Sequence, residues 1–112
     1  MINADVREWG EFLVLHQSSN TKVKRLVIRP DKSISMQYHN HRAELWFVES
    51  GEGNLYTMTD NGERLIKFLS PEEIYHVEVG QWHRVECTSD KPLCVIEIQY
   101  GESCVEEDIV RK

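Results

Sequence analysis

Eight short runs with the side-chain chemistry of β-strands, separated by turn signals, constrain this chain more than any other feature. They are "EFLVLH" (11–16), "KVKRLVIR" (22–29), "SISMQYH" (33–39), "ELWFVES" (44–50), "GNLYTMT" (53–59), "ERLIKFL" (63–69), "HRVEC" (83–87) and "LCVIEIQY" (93–100). No long segment shows a helical period, and no repeat or low-complexity tract intervenes. Between the fifth and sixth runs lies "DNGE", where Asn61-Gly62 is the dipeptide that tolerates the positive φ angles of a type I′ hairpin. "SGEG" (50–53) and "TSDKP" (88–92) punctuate in the same way. The rhythm predicts an all-β antiparallel sandwich or small barrel, and 112 residues predict one domain over 1–112. The tail "GESCVEEDIVRK" reads either as a short helix or as a strap across the barrel, its acidic run as a solvated face.

Composition narrows the partners. A net charge of -6 opposes nonspecific binding to nucleic acid or to an anionic membrane surface, and neither partner is expected. No apolar run approaches the roughly 20 residues that cross a bilayer, and the start "MINADVREWGEF" lacks a secretory pattern, so a cytoplasmic setting is expected. Cys87, Cys94 and Cys104 are odd in number and form no C-x-x-C pair; they read as small core fillers. The same acidity means that an anionic substrate needs a local cationic patch.

The stretch "QYHNHRAELW" (37–46) concentrates unusual chemistry. On a strand, His39 and His41 project from one face, where two imidazoles can grip one ion. Glu44 reaches the same cavity if the chain bends at Arg42-Ala43. Farther on, "VEVGQWHRVEC" delivers His83 just after the turn at Gly80. Three imidazoles and one carboxylate make a first shell for a single divalent transition metal: Zn²⁺ foremost, with Mn²⁺, Fe²⁺ or Ni²⁺ as alternatives. Positions remain for water or substrate oxygens.

Together, "HNHRAELWFVESGEG" and "VGQWHRVE" resemble the two motifs of the cupin superfamily: His-x-His, a downstream Glu, Gly51 seven residues later, then Gly80 and His83. Outside the motifs, "REWGEF", "KVKRLVIRP", "HRAELW", "PLCVIEIQYG" and "EEDIVR" are similar in order and spacing to the C-terminal isomerase domain of type II mannose-6-phosphate isomerases, often fused to a mannose-1-phosphate guanylyltransferase. The chain departs from that pattern at Asp31, where the family commonly has Gly after Pro, and at Glu78 and Cys87 in the second motif. The resemblance implies a cupin double-stranded β-helix, a jelly-roll barrel, and a homodimer. It further implies a metal-dependent interconversion of mannose 6-phosphate and fructose 6-phosphate through an enediolate. A noncatalytic metal cupin that binds a sugar or small acid is the alternative, and an iron cupin oxygenase a third. Guanylyl transfer is not expected of these residues.

For the isomerase, the metal held by His39, His41, Glu44 and His83 polarises the sugar oxygens. Glu97 is the candidate base and Gln99, two positions on, shares its strand face. Arg42 is the candidate donor to anionic oxygen. Lys22 and Lys24, on one face by period two, either form the phosphate patch or line a solvent face. Gln37 is a further substrate contact. Trp9, Trp46 and Trp82 read first as core or subunit anchors, with Trp46 also a candidate sugar-stacking platform.

Overall fold

The structure, a computed structural model, describes residues 4–112. Eleven strands follow in chain order: β1 (Asp5–Arg7), β2 (Gly10–Gln17), β3 (Thr21–Ile28), β4 (Gln37–Tyr38), β5 (Arg42–Ser50), β6 (Gly53–Thr59), β7 (Gly62–Leu69), β8 (Ile74–Val77), β9 (Arg84–Cys87), β10 (Leu93–Gly101) and β11 (Val110–Arg111). A six-stranded sheet, ordered β1-β2-β3-β10-β5-β8, faces a three-stranded sheet, β7-β6-β9, and a two-stranded ribbon, β11-β4. This is the all-β cupin double-stranded β-helix. Among the described residues no helix is long and apolar enough to cross a membrane.

The large sheet has two differently built ends on its inner face. Register places Phe12, Leu26, Val95 and Val48 in one cross-strand row. The next row holds Val14, Lys24, Glu97, Trp46 and Tyr75, and the one after it Lys22, Gln99, Glu44 and Val77. Strict alternation on β3 drives this, because Lys22, Lys24, Leu26 and Ile28 are all buried while the residues between them are only half-buried. The apolar end joins Leu55, Leu69 and Val85 of the smaller sheet in one core. Burying such side chains contributes about 1.5–3 kcal/mol each, which leaves the polar end as the part of the interior that packing alone does not explain.

One connection departs from the sequence reading, and the tail takes the second of its two readings. The β6–β7 hairpin turns at Asp60 and Asn61, but the positive φ falls on Gly62 (106°) and not on Asn61, so it is not the type I′ turn that Asn61-Gly62 predicts. A type I′ turn needs positive φ at both central residues; here the glycine absorbs the twist one position later. The tail forms no helix. It crosses the barrel as a strap and ends in β11, paired with β4 through Val110 and Tyr38. Of its acids, Glu102, Glu106 and Glu107 are exposed as a solvated face requires, whereas Asp108 is buried, and Glu106 pairs with two buried lysines from the surface side. The motif glycine at 51 has a plain steric cause. At φ 85° a Cβ there would stand 2.3 Å from the Pro92 carbonyl oxygen.

Candidate metal centre

Three elements converge at the polar end. His39 lies on the bend between β4 and β5, Glu44 on β5, and His83 immediately before β9. Backbone pairing brings the two motifs together: Gln37 and His83 exchange N–H···O bonds of 3.0 and 2.8 Å, and the Gly80 N–H donates to the His39 carbonyl at 2.8 Å. One ligand atom from each of His39, Glu44 and His83 lies within 4.8 Å of the others, and all three residues are buried.

Hydrogen bonds set the tautomers. His39 Nδ1 is 2.7 Å from the Asp108 carbonyl oxygen and His83 Nδ1 is 2.9 Å from that of Gln81. A carbonyl oxygen only accepts, so both Nδ1 atoms carry the proton and both Nε2 lone pairs point inward. His39 Nε2 is 3.2 Å from Glu44 Oε2, and His83 Nε2 is 3.7 Å from Glu44 Oε1. Burial, reinforced by the Arg42 charge, lowers the His39 pKa to about 4; burial lowers that of His83 too. Both rings are therefore neutral at pH 7, the form that binds a cation.

The donor set fits a metal. Among the described residues, the buried side-chain polar atoms without a hydrogen-bond partner are His83 Nε2 and Gln99 Oε1. Gln99 Nε2 donates to Glu97 Oε1 at 2.7 Å, which fixes its amide, so both orphans are acceptors. An unpaired buried acceptor costs about 1–3 kcal/mol, and a cation or a donor ligand removes that cost.

His41 does not join the cluster. The period-two argument fails because residues 39–41 form a bend instead of a strand, held where the Asp108 carboxylate accepts the N–H groups of Asn40 (2.9 Å) and His41 (2.8 Å). The His41 side chain is 51% exposed and its Nδ1 meets Glu102. Arg42 faces inward but is engaged: Nε donates to Glu44 Oε2 (3.1 Å), Nη1 to the Val105 carbonyl (3.1 Å), and Nη2 lies 3.3 Å from His39 Nε2. It orients Glu44 and the strap and leaves little for a substrate anion. Trp46 is 1% exposed and donates from Nε1 to Glu44 Oε1 at 3.1 Å, so it is a core side chain that aims the carboxylate, not a stacking platform. Lys22 and Lys24 share a face as their spacing requires, but that face is the interior.

A cavity of about 550 Å³ opens beside the cluster, bordered by Gln37, Lys24, Arg42, Glu97, Gln99 and Glu106. Burial and then the neighbouring Glu44 charge raise the Glu97 pKa to about 7, against the opposing pull of Lys24. The residues that the sequence reading missed are Asp108 and Glu106. Their only signal was the "EEDIVR" resemblance, since each acts on partners more than 60 positions away.

A family model described as mannose-6-phosphate isomerase C-terminal matches residues 2–112. The mannose-1-phosphate guanylyltransferase ManC of Salmonella typhimurium is 34% identical over 105 residues, covering 94% of this chain and 21% of that protein. The xanthan biosynthesis protein XanB of Xanthomonas campestris is 33% identical with the same coverage. The chain thus spans about a fifth of the length of these relatives. Among solved structures, the capsular polysaccharide assembling protein CapF of Staphylococcus aureus superposes with a TM-score of 0.82 at 20% identity, over 99% of this chain and 34% of that one. Oxalate decarboxylase of Bacillus subtilis gives 0.82 at 11% identity, over 98% and 30%.

These relatives correct the functional expectation. Interconversion of mannose 6-phosphate and fructose 6-phosphate is not what they are named for: they are guanylyltransferases and polysaccharide-biosynthesis proteins. The noncatalytic sugar-binding alternative gains no better support. The physical premise weakens as well, because the cations expected to receive a phosphate are tied to Glu44 and Glu106.

Proposed function

The chain belongs to the family of mannose-6-phosphate isomerase C-terminal domains, and on that premise we propose that it is a metal-holding enzyme domain of polysaccharide precursor synthesis in the cytoplasm. His39, Glu44 and His83 hold the ion, and Glu97 serves as the acid–base group on an oxygen-rich small molecule in the adjoining cavity. The observation that carries this reading is His83 Nε2, buried, unpartnered and aimed at Glu44. Two imidazoles and a carboxylate suit Zn²⁺, which we take as the resident ion, and also Mn²⁺, Fe²⁺ and Ni²⁺. When bound, such an ion polarises an oxygen of the ligand. Glu97 stands at the cavity wall with its carboxyl held by Gln99 and its pKa near neutrality, the condition for taking and returning a proton. Trp46 and Arg42 keep both Glu44 oxygens oriented.

Metal content tests the assignment. After chelation and reloading with one metal at a time, wild type and His41→Ala should each carry about one ion per chain by elemental analysis, whereas His39→Ala and His83→Ala should lose it. Equal loss in His41→Ala, or no loss in His83→Ala, would overturn the three-residue set.

Self-association is the second part of the proposal. On the outer face of the large sheet, Ile96, Phe47 and Ile74 form one cross-strand row and Val23, Ile98 and Leu45 the next. An antiparallel sheet facing water normally places polar residues there, and Phe47 and Ile74 are 39% and 60% exposed. A second copy, packed through this face by a two-fold axis, covers both rows. Light scattering should give a dimer mass for wild type and a monomer for the double variant Phe47→Glu, Ile74→Glu. A monomeric wild type at micromolar concentration refutes it.

A further inference from the structure

The cavity beside the metal centre has an apolar part for which the proposed chemistry has no use. Besides the polar residues, Trp9, Phe12, Leu26, Ile34 and Ile109 border it. Phe12, Leu26 and Ile34 are buried in the core, and the Phe12 ring already carries two cations, with Arg7 Cζ 5.0 Å and Lys24 Nζ 4.1 Å from its centroid. Trp9 differs. It is half-buried, and it also borders a smaller recess of about 250 Å³ that Lys32 and Ser33 share.

The other two indoles are committed. Trp46 is enclosed and donates to Glu44, and Trp82 packs edge-on against Tyr38 with ring centroids 4.6 Å apart. Among the described residues Trp9 enters no ring pair and carries no cation over its ring. Its place is nonetheless fixed. Arg7 and Gly10 pair across the turn between β1 and β2, the Arg29 N–H donates to the Trp9 carbonyl at 2.9 Å, and the Arg29 guanidinium donates to the Glu8 carbonyl. A large aromatic surface already held beside a cavity needs little ordering when a ligand arrives. The polar groups that suit the oxygens of a sugar, Gln37, Glu97 and Gln99, border the same cavity, and a ligand confined to them leaves the Trp9 ring against water.

We propose that Trp9 is the platform of a second subsite and that the ligand is a hexose linked to a second ring, the hexose at the metal centre and the second ring stacked on the indole. The inference rests on the metal-domain reading for the place of the hexose and deepens it by naming the ligand class. The chemistry is that of a ring on a π-face. The indole face is electron-rich, so it attracts the C–H groups of a pyranose and the offset face or edge of an aromatic ring alike. A cavity of about 550 Å³ has the volume of a small-molecule site, and the recess beyond Trp9 extends it.

The test is calorimetric titration of the full, zinc-loaded chain with methyl α-mannoside, phenyl α-mannoside and a mannobiose. At least one two-ring glycoside should bind about tenfold more tightly than the methyl glycoside, the scale of one aromatic stack. The larger gain identifies the second ring, as aromatic like a nucleobase if phenyl leads or as a sugar if mannobiose does. Trp9→Leu should erase the gain, whereas Trp9→Phe, which keeps a ring on the same turn, should retain most of it. Tryptophan emission should shift with the two-ring glycosides in wild type and not in Trp9→Phe, a readout that stands even where Trp9→Leu fails to fold. Equal or undetectable binding of the three glycosides, a gain that survives Trp9→Leu, or an emission shift that persists in Trp9→Phe overturns the proposal and leaves Trp9 a core anchor. His83→Ala, deficient in metal, should bind all three more weakly with the tenfold ratio kept. Unchanged affinities in that variant count against the metal reading, and a lost ratio in wild type counts against this one, so the two fail separately.

Discussion

Replacing Asp108 with alanine should unravel the bend that sorts the two histidines. Its carboxylate accepts two backbone N–H groups, from Asn40 at 2.9 Å and His41 at 2.8 Å, while its own carbonyl accepts the His39 Nδ1–H. Hydrogen bonds to a charged acceptor contribute about 1.5–3 kcal/mol each. The bend is partly open to solvent, with Asn40 and His41 exposed, so water replaces some of what is lost and the lower figure applies to each. The expected destabilisation is about 3 kcal/mol. At about 2.1 cal/mol/K of unfolding entropy per residue, a chain of 112 residues should lose about 13 °C in Tm. Differential scanning calorimetry reads this directly. A second readout separates stability from site geometry: with residues 39–41 loosened, His39 Nε2 is no longer held on Glu44, and metal affinity should fall about 10–100-fold. Asp108→Asn, which keeps one acceptor oxygen, should fall between wild type and alanine in both measurements. A Tm loss under about 4 °C with unchanged metal affinity would refute the reasoning, since the bend would then be held by something other than Asp108.

Trp46→Phe keeps an aromatic ring but deletes the donor to Glu44 Oε1, so metal affinity by competitive chelator titration should drop roughly tenfold; an unchanged value means that Arg42 alone orients the carboxylate. Asp31 has a φ of 64°, a left-handed conformation at the position where the family commonly has glycine. Asp31→Gly should therefore raise stability by about 0.5–1 kcal/mol, a Tm gain of roughly 2–4 °C, after allowing for the greater freedom of glycine in the unfolded chain. Glu106 is held at a pKa of about 2: its burial pushes upward, but the Lys22 and Lys24 hydrogen bonds and charges outweigh it. A depressed carboxylate stabilises the fold fully above its unfolded pKa of about 4.3 and loses that contribution as pH falls toward the folded value. Thermal melts between pH 5 and 2 should thus decline more steeply for wild type than for Glu106→Gln, and parallel curves would rule out the pairing as a source of acid sensitivity.

What the chain settles locally and what it settles only by folding divide along sequence distance. Alternation on β3, the glycine at 51 and the placement of His39, Glu44 and His83 were legible because each depends on neighbours within a few positions or on a motif spacing. The short strands β1, β8 and β11 were not, since two to four residues carry too little period to distinguish them from loop. His41 shows the limit most clearly. A period-two reading places it beside His39, and it fails because Asp108, 67 positions later, captures its backbone N–H and turns the chain before the strand begins. Lys22 and Lys24 follow the same logic: alternation correctly puts them on one face, but which face lies inside depends on the strap that returns 82 and 84 residues later with Glu106. Trp46 keeps the core role read for it first: its bond to Glu44, two positions away on β5, is local, and only the burial of the indole to 1% exposure, which excludes sugar stacking, comes from the assembled barrel. Local backbone geometry sets which side chains travel together, whereas the partner that makes a buried charge or a bent backbone tolerable comes from a distant segment, and only tertiary structure brings that segment into range.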